Sequence, residues 1–594
     1  MRFIGKAFLF VFAFVGILSS LLIVSLLVLA GSLWDEQDTT EGTRAVLTLN
    51  IDGPFPERAT SADALASLLE DDETPSLRAV TEALAAAAVD PEIRGLVAHV
   101  GSAPGLGMAQ AQELRDAILG FKASGKPTLA YSESIGEFGE GTIPYYVASA
   151  FKSLWLQPSG MVASTGFAFE VPFLRGLLDD LGLQPEVFTR ENYKDAMASL
   201  TDYGMSSYQR VSMGSVVNGW TDQVVTAIAN DRNLSVDTVR GLINRSPLLA
   251  QEALDAKLID HLGYPDEAIQ AITDDAGETH RQSLASYAKR LGEKDPVPGA
   301  RPVALIVAQG PVMLGDGKSG PFDQEEIDSR ALAEAIDEAV DDPDLAAIVL
   351  RIDSPGGSYV GSDLVWRAMR KARDKGMPII ASMGNAAASG GYFIAMGADR
   401  IIAQPGTLTG SIGVLAGKVS ISKASSDLNV RWDQVSRGAN ADMFSPISPF
   451  DKRGKDRMNA IMDTIYADFT GKAADARKMS AEAMEQAAQG RVWLGSDALK
   501  NGLVDELGGL SLAFARAREQ AGLNPETPLN VVVFPKDTTP DWVSGLVGAA
   551  RSLEGVSSLL GLATTVNGLL QPELDAMRAV KAGPISSPIS VYAQ

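Results

Sequence analysis

The pattern of hydrophobic and polar residues divides the chain into a leading apolar run, two long mixed regions and a tail. The apolar run occupies residues 7–33, and a polar stretch, 35–44, follows it. Beyond this stretch, short apolar runs closed by glycine and proline alternate with longer patterns rich in leucine and alanine. The first such runs predict strands at 45–51 and 95–100 and a helix at 76–88. This alternation predicts an α/β fold with parallel strands.

The leading run is long enough to cross a bilayer, which takes roughly 20 apolar residues. Arg2 and Lys6 precede the run, whereas acidic residues from Asp35 onward follow it. The positive-inside rule therefore puts the N-terminus in the cytoplasm and the rest of the chain across the membrane. The alternative, a cleaved signal peptide, fits less well because the run is too long and Leu29-Ala30-Gly31 is only a weak cleavage site. We predict an uncleaved signal anchor over residues 1–34.

The two mixed regions repeat each other. Residues 157–167 (QPSGMVASTGF) match residues 404–414 (QPGTLTGSIGV) at an offset of 247, and the flanking matches shift only slightly from this offset. Self-similarity on this scale indicates a duplicated domain. After the anchor, the predicted organisation is a first unit at 45–280, a linker at 281–302, a second unit at 303–523 and a tail at 524–594.

The second unit opens with the same succession of elements as the first. Its pattern predicts strands at 303–307 and 346–352 with a helix at 329–340 between them. The tail is less repeat-like, and its stretch 543–570 is rich in glycine, alanine and leucine at roughly helical spacing. This stretch could pack on the body, join an oligomer interface or touch a membrane, and packing on the body is the default expectation.

The composition excludes several kinds of site. The chain has 51 lysines and arginines against 74 acidic residues, and this net charge of −23 argues against a nucleic-acid partner. Cysteine is absent, so disulfides, thiolate catalysis and cysteine-ligated metals are excluded. The chain has three histidines, His99, His261 and His280, which argues against a histidine-rich metal site. We therefore predict no metal and no cofactor.

Two glycine-rich segments of the second unit carry the candidate chemistry. Ser389 lies between small residues at the predicted start of an apolar helix, an accessible position for a nucleophile. The N–H group of Gly390 at the helix start could hold a developing oxyanion. A second donor, the N–H group of Gly356, lies in the loop that follows the strand at 346–352. A serine before a helix is more often a structural N-cap, which is the competing interpretation.

The first unit lacks both features. At the offset of 247, Ser389 corresponds to Thr142, and a proline follows where the second unit has glycines. No histidine occurs in the second unit, so a Ser-His-Asp triad would need a histidine from the first unit. A lysine can serve as the base instead if burial lowers its pKa toward neutrality.

Three motifs of the second unit together resemble peptidase family S49, the signal peptide peptidase A family of Ser-Lys peptidases. They are the Ser-Pro-Gly-Gly loop that starts at Ser354, the Ala-Ser-Gly-Gly-Tyr segment around Ser389, and the Thr-Gly-Ser-Ile-Gly segment 409–413. The anchor and the tandem units resemble the long bacterial form of this family. The resemblance implies a β-β-α superhelix in each unit, a fold shared with the Clp protease and crotonases.

The base predicted by the repeat is Lys194. In the family the lysine follows the serine along the chain, but the second unit has no lysine between Lys423 and Lys452. In the first unit, Lys194 occupies the matching stretch, opposite Ala441. One unit thus keeps the nucleophile and the other keeps the base, which predicts an active site assembled between units. By resemblance, Ser411 orients the lysine.

The resemblance also implies a biological setting and partners. We expect a homotetramer, anchored in the bacterial inner membrane through residues 7–33, that degrades signal peptides and other short hydrophobic peptides on the periplasmic side. Two alternatives stay open. A crotonase-like acyl-CoA enzyme would also hold an oxyanion with backbone N–H groups, and a catalytically inactive envelope scaffold would tolerate loss of Ser389 and Lys194.

Overall fold

The computed structural model describes residues 44–58, 75–277, 279–292, 301–315, 326–525 and 529–535. The predicted signal anchor at 1–34 and the glycine-, alanine- and leucine-rich tail stretch at 543–570 lie outside these ranges. Within them, no helix has the length and apolar character needed to cross a membrane.

The first unit is built on a parallel sheet whose six strands are ordered β8-β4-β3-β2-β1-β9. The predicted strands at 45–51 and 95–100 are confirmed as β1 and β2, which pair in parallel along their whole length. The strands of this unit, three of which (β5, β6 and β7) lie outside the main sheet, are β1 Ala45–Ile51, β2 Ile93–Val100, β3 Thr128–Ser132, β4 Ser153–Leu156, β5 Met161–Val162, β6 Gln184–Thr189, β7 Leu248–Leu249, β8 His261–Leu262 and β9 His280–Ser283.

Helices cover both faces of the first sheet. On one face, the apolar sides of several helices enclose the main core, and on the other face α9 covers Val46, Val97 and Leu129. The helices are α1 Leu77–Val89, α2 Met108–Ala123, α3 Thr142–Ala148, α4 Arg175–Asp180, α5 Ala198–Thr201, α6 Ser207–Arg232, α7 Val236–Arg245, α8 Ala250–Asp255, α9 Pro265–Ala276 and α10 Leu284–Gly292. Sheets covered on both faces in this way bury long apolar strands.

The second unit has a sheet of eight strands, with β18-β16-β14-β13-β10-β20 as its main path and β15 and β19 alongside. All its pairs are parallel except β16 with β18. The strands are β10 Val303–Gln309, β11 Val312–Met313, β12 Ile327–Asp328, β13 Ala347–Ser354, β14 Ile379–Ala388, β15 Arg400–Ala403, β16 Leu408–Gly410, β17 Leu415–Ser420, β18 Val492–Leu494, β19 Glu506–Leu507 and β20 Val531–Phe534.

The helices of the second unit also pack on both faces of their sheet. Helix α18 covers one face, as α9 does in the first unit, and the larger core lies on the other. The helices are α11 Ser329–Asp341, α12 Tyr359–Asp374, α13 Gly390–Ala395, α14 Ser422–Asp427, α15 Lys452–Arg477, α16 Ala481–Ala487, α17 Gly495–Lys500 and α18 Leu510–Gln520.

The duplication predicted from the sequence is confirmed at the level of individual contacts. In the first unit, the hydroxyl of buried Tyr145 donates to the carbonyl of Leu258 at 2.7 Å. In the second, Tyr392 donates to Leu503 in the same way at 3.0 Å. Each unit also contains one helix of 26 residues, α6 and α15, that ends in a left-handed residue. The chain is therefore an α/β protein made of two copies of one domain.

The unit boundaries differ from those expected. Most of the stretch expected to be a linker, 281–302, is folded, because β9 pairs with β1 and α10 buries Leu284 and Tyr287 in the first core. The first unit therefore extends to Gly292. In the same way, β20 lies in the stretch expected to be a tail and pairs with β10. A final strand beside the first strand is thus part of the repeated domain.

Direct contacts join the units within this one chain. Strand β6 of the first unit pairs antiparallel with β17 of the second. In the interior, Arg351 of the second unit forms ion pairs with Glu57 and Glu113 of the first at 2.9 and 2.6 Å, and all three side chains are almost fully buried. The strand pair is the contact that builds the candidate site.

Candidate active site

Ser389 lies at the turn between β14 and α13. Its backbone has φ 53° and ψ −114°, a conformation that costs a non-glycine residue on the order of 1–3 kcal/mol. Its N–H group donates to the carbonyl of Gly410 at 2.8 Å, which holds the turn against β16. Although Ser389 directly precedes a helix, its side chain caps no backbone N–H group. The structural N-cap interpretation is therefore wrong, and the hydroxyl is available to another partner.

That partner is Lys194. Its Nζ donates to Ser389 Oγ at 2.9 Å, although the two residues come from different units. The lysine is 7% exposed, and burial lowers the pKa of its ammonium group to about 8, while the nearby carboxylate of Asp195 acts in the opposite direction. A lysine with this pKa is partly neutral near pH 8 and can then accept a proton.

Ser411 holds the same ammonium group on its other side. Both its carbonyl oxygen and its Oγ accept hydrogen bonds from Lys194 Nζ at 3.0 Å. Its own N–H group donates to the carbonyl of Arg491 at 2.8 Å, and its φ of 50° places it in the left-handed region. The three side chains predicted as the site, those of Ser389, Lys194 and Ser411, thus meet around one nitrogen atom.

The pairing of β6 with β17 explains how a lysine of the first unit reaches this place. Their register runs from Leu415 opposite Thr189 to Ser420 opposite Gln184. Just beyond the pair, the N–H group of Arg190 donates to the carbonyl of Val414 at 3.0 Å. Residues that follow β6 are therefore brought beside residues that precede β17, which places the loop containing Lys194 next to the segment containing Ser411.

A short segment of the second unit, 489–491, supports the lysine loop and was missed by the sequence reasoning. The N–H group of Tyr193 donates to the carbonyl of Gln489 at 3.1 Å. Gly490 has φ +74°, and a Cβ atom at this position would lie 2.7 Å from the Cβ atom of Lys194. The loop can approach this closely only because the residue is glycine. Because glycine is common in loops, the sequence alone did not indicate that Gly490 has this role.

The two glycines predicted to hold an oxyanion lie against the nucleophile. A Cβ atom on Gly356, whose φ is +102°, would lie 2.7 Å from both the backbone nitrogen of Gly390 and the Cβ atom of Ser389. The N–H group of Gly356 donates to Ser354 Oγ at 3.2 Å, near the long limit for such a bond. Both backbone donors therefore belong to residues that lie close to Ser389, and their role as an oxyanion hole stays a prediction.

Asp353 is a half-buried carboxyl group that the sequence reasoning also missed. It lies at the end of β13, directly before the Ser354–Gly356 turn, and its Oδ1 accepts the N–H group of Ala386 at 2.9 Å. Burial, with the nearby charge of Glu57, raises its pKa to about 6. The carboxyl group ties the glycine loop to the strand that leads to Ser389.

The histidines lie elsewhere. His99 contacts Asp52 and Glu133 at 3.3 and 2.7 Å, His261 stacks on Trp155, and His280 lies in β9. Among the described residues, the side chain that hydrogen-bonds Ser389 Oγ is Lys194 and not a histidine. Within the same ranges, no three side chains of histidine, aspartate or glutamate are arranged to hold a metal ion.

The first unit has a related turn at the start of α3, although Gly141 there has a different backbone conformation, with φ −112° and ψ 2°. There the N–H group of Gly141 donates to the carbonyl of Ala163 at 3.1 Å, as that of Ser389 does to Gly410. The hydrogen bonding thus aligns Ser389 with Gly141, one residue before the Thr142 expected from the sequence offset. Thr142 instead donates its hydroxyl to the carbonyl of Gly166 at 3.0 Å. By either alignment, with Gly141 or with Thr142, the first unit has no serine at the nucleophile position.

Several solved structures match this chain at a low level. A ClpP1 mutant from Listeria monocytogenes is 11% identical, covers 36% of this chain and 94% of its own, and superposes with a TM-score of 0.23. That score is too low for an inference about this fold.

The sequence matches known proteins much more closely, and in both units. The chain is 32% identical over 521 residues to the chloroplastic serine protease SPPA of Arabidopsis thaliana, a match that covers 85% of this chain and 74% of the relative. It is 32% identical over 509 residues to Protease 4 of Salmonella typhi, covering 82% and 80% of the two chains. The model for "Peptidase family S49" matches residues 120–278 and 371–524, once in each unit and over more than half of the chain. The chain belongs to peptidase family S49 and is a serine peptidase.

Proposed function

We propose that Ser389 and Lys194 form the catalytic dyad of a membrane-anchored endopeptidase. The observation that carries the proposal is the 2.9 Å contact between Lys194 Nζ and Ser389 Oγ, made by a lysine that is buried and has a lowered pKa. A nucleophile within hydrogen-bonding distance of a base, with the base oriented by a third group, is the arrangement that covalent catalysis needs. Ser411 is that third group.

The reaction proceeds in two stages. Neutral Lys194 takes the proton from Ser389 Oγ as the oxygen attacks the carbonyl carbon of the peptide bond. The carbonyl oxygen becomes an oxyanion, which the N–H groups of Gly356 and Gly390 stabilise. The bond to nitrogen then breaks, the lysine gives its proton to the leaving amine, and an ester to Ser389 remains.

Water completes the cycle. Lys194, neutral again, takes a proton from a water molecule while the oxygen of that water attacks the ester carbonyl carbon. The bond to Ser389 Oγ breaks, the lysine returns the proton to that oxygen, and the carboxylic acid product leaves. While the lysine is charged, the two oxygens of Ser411 at 3.0 Å stabilise the ammonium group.

The substrates we propose are cleaved signal peptides and other short hydrophobic peptides, on the periplasmic side of a bacterial inner membrane. The support is the resemblance of the motifs to signal peptide peptidase A, together with the apolar run at 7–33 and the basic residues before it. No nucleic acid, metal or cofactor takes part in the proposed reaction.

We further propose that the chain assembles head to tail into a homotetramer. By the repeat offset, β6 corresponds to residues 431–436, and these are exposed, including Trp432 and Val435. Likewise β17 corresponds to 168–173, which alternates in burial but joins no strand among the described residues. A second copy could pair its 431–436 with 168–173 of the first, as β6 pairs with β17.

The test is hydrolysis of a fluorogenic hydrophobic peptide by the full chain in detergent, beside Ser389→Ala and Lys194→Ala. Both variants should lose turnover while keeping the parental melting temperature within a few degrees and the parental oligomeric state. Full activity of Lys194→Ala would reject the lysine as base. An inactive parent that binds an acyl-CoA would instead favour the acyl-CoA enzyme.

A further inference from the structure

Arg491 contacts both sides of the Lys194–Ser411 interaction. Its carbonyl oxygen accepts the N–H group of Ser411 at 2.8 Å. Its side chain lies over the ring of Tyr193, the residue before Lys194, with the guanidinium carbon 5.4 Å from the ring centroid. One residue of the second unit therefore contacts the orienting serine directly and the base from the first unit through a neighbour.

The guanidinium group is itself held in a fixed place. It stacks on the ring of Trp493 at 3.9 Å, and one of its terminal nitrogens donates to Ser215 Oγ on α6 at 3.4 Å. Its Nε is buried and has no hydrogen-bond partner among the described residues. Tyr193 in turn packs edge-on against Tyr208, also on α6. Arg491 thus lies between aromatic rings from both units.

We infer that Arg491 is a positioning residue for the proposed dyad, holding the lysine loop of the first unit against the second unit through Tyr193. The inference rests on the proposed function of Lys194 and Ser389. Arginine suits this role better than lysine because its planar group can stack on one ring while it faces another and still donates a hydrogen bond.

The effect on catalysis follows from geometry. Lys194 Nζ makes three hydrogen bonds of 2.9 to 3.0 Å, so a small displacement of its loop breaks the contact with Ser389 or leaves it poorly aligned. Misplacing a catalytic group by about 1 Å can cost on the order of 100-fold in rate. The proposed role of Tyr193 and Arg491 is to position the base rather than to bind the peptide, so kcat should change and KM should not.

The experiment measures kcat and KM for a fluorogenic hydrophobic peptide from about pH 6 to about pH 10, a range that brackets the titration of the lysine. Arg491→Met should lower kcat roughly 10- to 100-fold while KM stays within about twofold of the parental value. It should also shift the pH at which kcat rises. Arg491→Lys should recover part of the rate, because the ammonium group keeps the cation–π contact. Arg373→Met, which removes an arginine paired with Asp399, is the matched control and should keep parental values.

A second pair of variants covers the case that Arg491→Met does not fold. Tyr193→Phe keeps the ring face and should match the parent, whereas Tyr193→Leu removes it and should behave like Arg491→Met. Parental kcat and pH profile in Arg491→Met, or a change in KM alone, would overturn the inference. Lys194→Met, measured beside them, separates the two failures, because full activity in that variant would reject the dyad itself.

Discussion

At the scale of single residues, the site contains two energetically unfavourable features that the surrounding structure stabilises. Ser389 is held in an unfavourable backbone conformation, and Lys194 is buried with its positive charge. Strain and buried charge persist only where surrounding contacts fix them, and they are concentrated at functional sites. Here the surrounding contacts are the hydrogen bonds of Gly410 and Ser411.

The pH profile tests the state of the lysine. Because Lys194 must be neutral to act as a base and its pKa is lowered to about 8, kcat/KM should rise with pH and level off above that value. Steady-state kinetics on a peptide without ionisable groups give the profile. A profile that is flat between about pH 6 and about pH 9 would be incompatible with a lysine base of this pKa.

Protein stability should also depend on the charge of this lysine. A lowered lysine pKa means that the unfolded chain binds the proton more tightly, so the penalty is complete below about pH 8 and disappears as the pH rises toward 10.5. Lys194→Met should therefore stabilise the protein near pH ~7, by up to about 3 kcal/mol at roughly 1.4 kcal/mol per pKa unit. Melting temperatures of the parent and of Lys194→Met, compared near neutral pH and again near pH 10.5, measure the effect. A variant that is less stable than the parent at neutral pH would contradict it.

Sequence reasoning reached some of these residues and not others. Ser389 was predicted from the small residues around it at a predicted helix start, Lys194 from the difference between the two units, and Ser411 through the resemblance. Gly490, Arg491 and Asp353 act through contacts between segments that are distant along the chain. The sequence does not indicate which aromatic rings Arg491 contacts.

At the scale of elements, the pair formed by β6 and β17 and the 489–491 segment determines where Lys194 lies. The predicted strands and helices of both units agree with the structure because each has a clear apolar period and a glycine or proline near its end. Strands β6, β9, β17 and β20 were not predicted, since their pairing depends on residues distant along the chain rather than on local pattern.

The close approach at Gly490 gives a test at this scale. Gly490→Ala should abolish most activity, because its Cβ atom would lie 2.7 Å from that of Lys194 and would push the lysine loop away. Gly376→Ala is the matched control, since that glycine has φ +84° with nothing within 4 Å of an added Cβ atom. Both variants should lose about 1 kcal/mol or more through backbone strain. Equal activity in the two, measured by peptide hydrolysis, would show that the close contact is not needed.

At the scale of the whole molecule, the buried ion pairs of Arg351 join the two units. Burial alone would lower the pKa of this guanidinium, but the carboxylates of Glu113 and Glu57 raise it, so it stays charged. Arg351→Met would leave two carboxylates buried without their partner and should cost about 3–5 kcal/mol. Arg373→Met, in a partly exposed pair, should cost less than about 1 kcal/mol. If chemical denaturation shows comparable losses of unfolding free energy in the two variants, the interior ion pairs do not stabilise the protein in the proposed way.

The proposed head-to-tail assembly predicts that the exposed segment 431–436 is an interface. Val435→Asp with Trp432→Glu should reduce the mass of the particle in light scattering, because buried charge opposes docking. Val89→Asp, at another exposed apolar residue, should leave the mass unchanged. A parental mass for the double variant would exclude this segment as the contact between copies.

The central claim is that a lysine from one unit activates a serine from the other. The most direct measurement is the rate at which a fluorophosphonate modifies the full chain at several pH values, followed by intact mass and peptide mapping. The account predicts one adduct, on Ser389, that forms faster as the pH rises through about 8 and forms at a negligible rate in Lys194→Met. An adduct on another residue, or a parental rate in Lys194→Met, would contradict it.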